Sequence, residues 1–330
     1  MRILRFLAVT SLLLAVAGCH RGAAGVRTIA VIPQGATHEY WKSIHAGAVK
    51  AVRDLERAGT SVNIIWKGPL REDDREQQTQ VVEGFISQGV SGIVLAPFDS
   101  RALVRPVEEA ARAGIPTVVV DSALDTDKIV SFIATDNEKG GALAADRMGE
   151  LLAGRGKVLL LRYQEGSAST EARERGFVKR LGEAHPGIEL ISSNQYAGPT
   201  RETAKRASEN LLTRYAGQLQ GIFTPNESST AGMLLALEDF QKAGVIAFVG
   251  FDASESFLEA MRQGKLAGIV VQDPFRMGEL GVRAIVDRLD GKPVAKRVDT
   301  GATMVTPGNV NEPAIQKLVH PPLAQYLGGP

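Results

Sequence analysis

The chain has 330 residues, with 38 lysine and arginine residues, 37 aspartate and glutamate residues and a single cysteine. This near balance of charge argues against a nucleic-acid partner, because nucleic-acid-binding domains usually carry a basic face. One cysteine cannot form a disulfide within the chain, so the fold must depend on its core. The length is sufficient for two domains of ordinary size.

The first eighteen residues have the pattern of an export signal. Two arginines precede an apolar run, Phe6–Ala17, which is too short for the roughly 20 residues that a membrane-spanning helix needs. The small residues of AVAGC then lead to Cys19, and this segment resembles the lipobox of bacterial lipoproteins. We predict a lipoprotein signal peptide over residues 1–18, lipidation of Cys19 and a tether over residues 19–27. The alternative is ordinary signal cleavage beside an incidental cysteine.

From Thr28 onward, short apolar runs alternate with segments whose apolar residues have helical spacing. The predicted strands cover residues 28–32, 62–66, 92–96, 116–120, 130–134, 158–161, 188–192, 221–223, 246–251 and 268–271. Apolar strands that alternate with amphipathic helices indicate parallel sheets covered on both faces. Ten strands are many for one small domain, so we predict an α/β protein with two sheets in two lobes. The proline-rich segment after Val305 is predicted to be extended.

Polar residues follow five of the predicted strands, at the points where the apolar runs end. They are Gln34, Asp121, Asn226, Asp252 and Gln272. Because open α/β sheets bind ligands at the carboxyl ends of their strands, these side chains predict one shared crevice. Two carboxylates and three amides can both accept and donate hydrogen bonds, which suits a neutral, hydroxyl-rich molecule such as a sugar.

Aromatic residues make up only 5% of the chain, so the adjacent pair Tyr40 and Trp41 is informative. A flat ring packs against the C–H face of a sugar, and we favour this role for the pair over a place in the core. Phe251 suits a stacking ring and the core equally, whereas Trp66, inside a strand, is predicted to be core. Arg173 is a candidate donor to ligand oxygens, and a solvated helix face is its alternative.

Catalytic and metal-binding motifs are incomplete in this sequence. His38 and Glu39 would begin the zinc-protease motif HExxH, but Lys42 stands where the second histidine is needed. The segment GRGK at residues 154–157 lacks the remaining residues of a phosphate-binding loop, and the histidines show no metal-ligand spacing. We therefore predict a binding protein rather than an enzyme, with no metal and no cofactor.

Seven segments in chain order resemble the periplasmic sugar-binding proteins of ABC importers, nearest to the ribose-binding type. They are TIAVIPQGATHEYWKSIHAGA, PTVVVD, IATDNEKGG, TEARERGF, IFTPNESSTAGMLLAL, FVGFD and QGKLAGIVVQDP. The resemblance runs from about Thr28 to Val294. It implies ligand contacts at Gln34, His38, Tyr40, Trp41, Asp121, Ser122, Asn137, Arg173, Pro199, Asn226, Phe251, Asp252 and Gln272.

The same resemblance implies two Rossmann-like lobes joined by a three-strand hinge, with the ligand in the cleft between the lobes. The N-terminal lobe would comprise residues 28–135 plus 273–301, and the C-terminal lobe residues 136–272 plus 302–330. The lobes would close over the ligand by hinge motion, and the closed form would dock on permease subunits. The pair Asp136 and Asn137 has an equal claim to be a helix N-cap.

Three positions depart from the ribose-binding pattern. Ser122 stands in place of an arginine, His38 in place of an asparagine, and Pro199 in place of an aromatic residue. These replacements predict a roomier and less basic pocket, so the expected ligand extends to a larger pyranose or a modified sugar.

The resemblance and the export signal together predict a monomeric, lipid-anchored protein in the periplasm or at the cell surface. It would capture a sugar and deliver it to an ABC importer. The alternative is a sensor that presents the sugar to a chemoreceptor or a signalling kinase. The sugar-responsive repressors of the same fold need an N-terminal helix-turn-helix, and the export signal occupies that place.

Overall fold

The structure is a computed structural model that describes residues 25–36, 38–72 and 74–328. The predicted signal peptide, the lipidation at Cys19 and most of the tether lie outside the described residues. Within the described part of the chain, no helix is long and apolar enough to cross a membrane.

Strands and helices alternate along the described chain. The strands are β1 (Arg27–Ile32), β2 (Val62–Trp66), β3 (Gly92–Leu95), β4 (Thr117–Val120), β5 (Ser131–Ala134), β6 (Gly156–Arg162), β7 (Ile188–Tyr196), β8 (Gly221–Phe223), β9 (Ala247–Phe251), β10 (Gly268–Val271), β11 (Arg297–Asp299) and β12 (Thr303–Val305). The helices are α1 (Glu39–Arg57), α2 (Arg75–Gln88), α3 (Val104–Arg112), α4 (Asn137–Leu151), α5 (Ala168–Ala184), α6 (Arg201–Tyr215), α7 (Glu227–Asp239), α8 (Glu255–Arg262), α9 (Pro274–Leu289), α10 (Pro313–Val319) and α11 (Leu323–Leu327).

The first sheet has six strands in the order β11-β5-β4-β3-β1-β2, and all of its pairs are parallel. Every residue of β3 and β4 is buried, as expected for a sheet covered on both faces. One apolar cluster joins this sheet to α1 and α9, and a second joins it to α2 and α3. These layers form the first lobe.

The second sheet has the order β12-β10-β9-β8-β6-β7 and is parallel except where β12 pairs with β10. Its apolar clusters include α4 and α5 on one side and α6, α7 and α8 on the other. Strands β6 to β10 are thus arranged in the second sheet in the same order as β1 to β5 in the first sheet. The predicted α/β fold with two lobes is confirmed, and equivalent strand ends exist in both lobes.

Three short segments carry the chain between the sheets. Residues 135–136 lead from β5 to α4, residues 272–273 from β10 to α9, and residues 300–302 from β11 to β12. The first and third segments are hydrogen-bonded to each other, because the hydroxyl of Thr135 donates to the carbonyl of Gly301 at 2.9 Å. These two crossings therefore lie side by side.

The segment after Val305 is partly helical, which corrects the prediction of an extended chain. Pro313 is the first residue of α10, a position where proline is tolerated because the first N–H of a helix has no partner within it. Ile315 on this helix is buried in the core of the second lobe. Prolines in this segment begin helices rather than prevent them.

The assignment of all residues 302–330 to the second lobe is wrong for their last part. Helix α11 lies on α1 of the first lobe, where Arg53 donates to the carbonyls of Gln325 and Tyr326 at 2.8 and 3.2 Å. Residues 313–327, which we call the C-terminal strap, therefore form a fourth connection between the lobes.

Candidate functional site: a polar cavity between the two lobes

The carboxyl ends of the two sheets face a cavity of about 40 Å³. Most of the predicted ligand contacts line this cavity. They are Gln34, His38, Tyr40, Trp41, Asp121, Arg173, Asn226, Asp252 and Gln272. Strand-end residues far apart in sequence are thus brought together, as the parallel-sheet argument predicts.

Two aspartates occupy equivalent places in the two lobes. Asp121 directly follows β4 and Asp252 directly follows β9, and their φ angles are 64° and 68°. The left-handed backbone costs most residues roughly 1–2 kcal/mol, and aspartate adopts it more readily because its short side chain bonds locally. In each lobe this backbone turn takes the chain out of the sheet and places a carboxylate at the cavity.

Asp121 is held by two donors from the first lobe. It accepts hydrogen bonds from the Tyr40 hydroxyl at 2.5 Å and from Gln34 Nε2 at 3.3 Å. Burial raises the pKa of Asp121, against the opposing effects of the Arg173 charge and the Tyr40 hydrogen bond. Burial and the charges of Asp121 and Asp252 raise the pKa of Tyr40 well above its usual value, so its phenol stays protonated and donates.

Asp252 is held by donors from the second lobe and the hinge. Gln272 Nε2 donates to one carboxylate oxygen at 2.7 Å, and the backbone N–H of Glu227 donates to the other at 3.1 Å. Burial raises the pKa of Asp252 to about 6, although the charge of Arg173 opposes the shift. Gln272 Oε1 is buried without a hydrogen-bond partner among the described residues, so an acceptor remains for a ligand.

Arg173 lies on α5, which packs closely against α4. A Cβ atom at Gly141 would lie 1.9 Å from the carbonyl oxygen of Arg173, so only glycine permits this approach. The close packing brings Arg173 to Asn137, the first residue of α4, and Arg173 Nε donates to Asn137 Oδ1 at 2.7 Å. Asn137 is therefore a support for the arginine and does not line the cavity; Asp136 is the N-cap of α4.

The other two guanidinium nitrogens of Arg173 are Nη1 and Nη2, and the residue lines the cavity. Nη1 donates to the carbonyl of Pro225 at 3.0 Å, and Nη2 lies 3.9 Å from Asp121 Oδ1. Nη2 is buried without a hydrogen-bond partner among the described residues. The guanidinium lies 4.1 Å above the ring centre of Phe251. Phe251 is fully buried and supports Arg173 in a cation–π contact. This position fits the core alternative, and stacking of Phe251 on the ligand stays a prediction.

Gln34 and Asn226 both line the cavity, and each also makes a hydrogen bond with the protein backbone. Gln34 Nε2 also donates to the carbonyl of Pro97 at 3.0 Å. Asn226 is the N-cap of α7, and its Oδ1 accepts from the backbone N–H of Ser229 at 3.4 Å. Both amides are therefore held in fixed orientations at the cavity wall.

Ser122 lies at the contact between the lobes. Its hydroxyl oxygen accepts from the backbone N–H of Ser169, in the second lobe, at 3.2 Å. A backbone hydrogen bond of 2.9 Å from Ser100 to Gly166 also joins the lobes. The lobes are in contact across the cleft, and the structure represents the closed form.

His38 and Glu72 organise the aromatic side of the cavity. Glu72 Oε1 accepts from Trp41 Nε1 at 2.5 Å and lies 3.1 Å from His38 Nδ1, while Glu72 Oε2 accepts from the Tyr163 hydroxyl at 3.0 Å. His38 Nδ1 also lies 3.4 Å from Glu227 Oε2. Burial alone would lower the pKa of His38, but the hydrogen bond to Glu72 and the two glutamate charges outweigh it and raise the pKa.

Six cavity residues were missed by the sequence analysis: Glu72, Tyr163, Ser167, Ser169, Thr170 and Glu227. Tyr163 directly follows β6, so the strand-end argument applied to every strand would have found it. Glu227 directly follows the predicted contact Asn226. Glu72 lies in the loop between β2 and α2, and nothing in its local sequence distinguishes it from a solvent-exposed acid.

A pocket roomier than that of the ribose-binding type stays a prediction. In this closed form the cavity has a volume of about 40 Å³. The cavity has more acidic than basic side chains. Its basic residues are Arg173 and His38, and they face four carboxylates. These carboxylates belong to Glu72, Asp121, Glu227 and Asp252.

The arrangement is suited to hydrogen bonding with a small polar molecule. Carboxylates and amide oxygens accept, Arg173 and the amide nitrogens donate, and Trp41 and Tyr163 supply flat apolar surface. Among the described residues, no group of histidine, cysteine, aspartate and glutamate side chains could hold a metal ion.

A comparison with protein families agrees with this geometry. The sequence profile of the periplasmic binding protein domain matches residues 29–293. The chain belongs to the periplasmic binding protein family. The matched segment includes every cavity residue described above.

Individual periplasmic binding proteins are similar to this chain over most of their length. The ribose import binding protein of Bacillus subtilis is 31% identical over 254 residues, which cover 77% of this chain and 80% of that protein. A carbohydrate transporter solute-binding protein of Agrobacterium radiobacter, solved with D-arabinose, is 31% identical with a TM-score of 0.83, covering 90% of this chain and all of that one. A solute-binding protein of Agrobacterium vitis, solved with D-fucose, is 31% identical with a TM-score of 0.84, covering 89% and 100%.

Proposed function

We propose that this periplasmic binding protein captures a sugar or a sugar-like polyol and delivers it to an ABC importer. The observation that carries the proposal is the pair of equivalent carboxylates, Asp121 and Asp252, with Arg173 beside both. Together they offer acceptors and a donor to a molecule rich in hydroxyl groups. The similar proteins of known structure that were solved with D-arabinose and D-fucose support this ligand class. Binding, rather than catalysis, is the proposed activity.

The proposed cycle depends on opening and closing of the two lobes. The lobes would comprise residues 28–135 plus 273–301 and residues 136–272 plus 302–322, with α11 returning to the first lobe. A ligand that contacts both lobes selects the closed form, because only that form provides both sets of contacts. The closed form is the state that would dock on permease subunits.

Transport is favoured over sensing by the relatives. The similar proteins are described as import binding proteins and transporter solute-binding proteins. A sensor that presents ligand to a chemoreceptor or a signalling kinase has no such support.

We further propose export and anchoring through Cys19. Residues 1–18 would act as a lipoprotein signal peptide, and residues 19–27 would tether a monomer to a membrane facing the periplasm or the cell surface. Cys19→Ala should abolish metabolic labelling with a fatty acid and move the protein to the soluble fraction. Unchanged labelling would contradict the anchor.

The ligand proposal is tested by thermal shift with the mature chain carrying Cys19→Ala. The panel should include D-ribose, D-allose, D-arabinose, D-fucose and myo-inositol. A ligand present at 100 times its Kd stabilises the folded protein by about 2.7 kcal/mol, which is a measurable shift in Tm. Isothermal titration then gives the affinity. If no member of the panel raises the Tm or produces binding heat, the proposed ligand class is wrong.

A further inference from the structure

The C-terminal strap covers a second cavity on the hinge side of the candidate site. The cavity has a volume of about 450 Å³. The strap residues that face it run from Leu318, at the end of α10, to Gln325 in α11. Two prolines, Pro321 and Pro322, stiffen the link between the helices. This volume is within the 300–1,000 Å³ typical of small-molecule pockets.

The two cavities share part of their walls. Tyr40, Asp252 and Gln272 line both of them. Gln272 Oε1 is buried without a hydrogen-bond partner among the described residues, and Gln272 as a whole is 2% exposed. The three side chains therefore form a polar partition between the candidate site and the hinge cavity.

The walls of the hinge cavity differ in chemistry from those of the candidate site. The strap contributes mainly apolar side chains, including Leu318, Val319 and Leu323, and the hinge contributes Val271 and Pro274. Such a surface gains more from an apolar group than from another hydroxylated ring.

Carboxylates lie around the same hinge cavity. Glu39 and Glu255 are exposed residues that line it, and Asp252 forms part of its inner wall. His320 also lies at this wall, with its Nε2 2.7 Å from Glu255 Oε1. A negatively charged group would meet like charges on two sides, so the cavity disfavours an anionic occupant, and its apolar strap wall favours an apolar one.

We propose that the hinge cavity is a second subsite, which takes the uncharged aglycone of a glycoside whose sugar ring occupies the candidate site. This inference rests on the proposed function. The sugar ring would bind Asp121, Arg173 and Asp252, and the aglycone would pack between the C-terminal strap and the hinge. The ligand class is therefore a glycoside with a small apolar substituent.

Isothermal titration on the mature chain carrying Cys19→Ala tests the subsite without any change in the cavity. The probes are the free sugar identified by the panel and its methyl, 4-nitrophenyl and 4-carboxyphenyl glycosides, each as both anomers. For one anomer we expect the nitrophenyl glycoside to bind at least tenfold more tightly than the methyl glycoside, which corresponds to about 1.4 kcal/mol. The carboxyphenyl glycoside has nearly the same shape and should bind at least tenfold more weakly than the nitrophenyl one.

A variant then assigns the effect to the hinge cavity. Leu323→Trp adds volume from the strap side and should weaken binding of the nitrophenyl glycoside at least tenfold, with free-sugar affinity within twofold of the unmodified chain. Leu235→Trp is the matched control, because Leu235 is 46% exposed on α7 and does not line the cavity. Thermal unfolding verifies that both variants are folded, and Ala324→Trp replaces Leu323→Trp if the latter is not.

The outcomes separate the two proposals. If the free sugar binds but neither nitrophenyl anomer binds more tightly than its methyl counterpart, the subsite is wrong and the proposed function stands. Tight nitrophenyl binding that the cavity-filling variant leaves unchanged would also overturn the subsite. If no sugar in the panel binds, the proposed function fails and the subsite fails with it.

Discussion

Replacing Asp252 with asparagine should stabilise the closed fold at neutral pH while it weakens ligand binding. Burial raises the pKa of Asp252 from 3.8 to about 6. At 1.36 kcal/mol per pKa unit, loss of the ionised carboxylate relieves up to about 3 kcal/mol at neutral pH. Asparagine accepts the left-handed backbone at this position, where φ is 68°. The substitution therefore changes charge with little change in shape.

The gain in stability is reduced because asparagine cannot accept both of the hydrogen bonds that the Asp252 carboxylate accepts. Asp252 accepts from Gln272 Nε2 and from the Glu227 N–H, and an asparagine has one oxygen for these two donors. Rotation of the Gln272 amide would compensate, because its unpartnered Oε1 could accept from the new amide nitrogen. We expect a net gain of roughly 1–2 kcal/mol, or a rise in Tm of about 2–8 °C.

The direction in which stability changes with pH tests this prediction. Because the pKa of Asp252 is higher in the folded protein than in the unfolded chain, the unmodified protein loses stability as the pH rises from about 4 to 6. Asp252→Asn removes this contribution, so the two proteins should differ most above pH 7 and least below pH 4 in urea denaturation. The control Asp125→Asn alters an exposed carboxylate and should follow the unmodified protein. Identical pH slopes for the unmodified protein and Asp252→Asn would refute the reasoning.

The same variant should bind sugar more weakly. A hydrogen bond to a charged group contributes about 1.5–3 kcal/mol, so isothermal titration should show a loss of roughly ten- to a hundredfold in affinity. Stabilisation together with lost affinity would identify Asp252 as a group kept for binding at a cost to the fold.

Three further outcomes are expected. Trp41→Phe should remove the change in fluorescence on sugar binding, whereas Trp66→Phe should retain it; loss of the signal only in the second variant would show that Trp41 does not report on the cleft. Tyr163→Phe removes the hydrogen bond to Glu72 across the cleft, so titration should show about fivefold weaker binding, equivalent to ~1 kcal/mol; unchanged affinity would mean that the bound form lacks this contact. Tyr326→Ala should release α11 from α1 and increase the radius of gyration of the unliganded protein in solution scattering, and an unchanged radius would show that the strap does not restrain opening.

The repeated strand pattern made most of the fold predictable from the sequence. Apolar runs such as residues 92–96 and 116–120 correspond to the buried strands β3 and β4, because a central parallel strand is apolar on both faces. The same regularity predicts that polar residues at strand ends meet, and Asp121 and Asp252 do lie at one cavity. At these strands and strand ends, the local sequence pattern and the topology of the sheets lead to the same structure.

The remaining features depend on contacts that local sequence does not encode. Glu72 resembles any loop acid, and its hydrogen bond with Tyr163 at 3.0 Å forms only when the two lobes meet. Phe251 is an aromatic residue at the end of a strand, but it is buried in a core cluster, with the Arg173 guanidinium over its ring. The C-terminal strap has too few residues for a strong helical pattern, and its course follows from docking on two different lobes.

The polar contacts across the cleft explain how closure can be coupled to ligand binding. Arg173 of the second lobe lies 3.9 Å from Asp121 of the first, and His38 of the first lies 3.4 Å from Glu227 of the second. Each pair exists only when the lobes meet, and each leaves a buried polar atom without a hydrogen bond among the described residues: Arg173 Nη2 and Glu227 Oε2. Buried polar atoms without a hydrogen bond oppose closure of the empty cleft, since each costs about 1–3 kcal/mol. A ligand that supplies an acceptor to the first and a donor to the second removes both penalties at once, so its hydroxyl groups favour closure because they complete the contacts between the lobes.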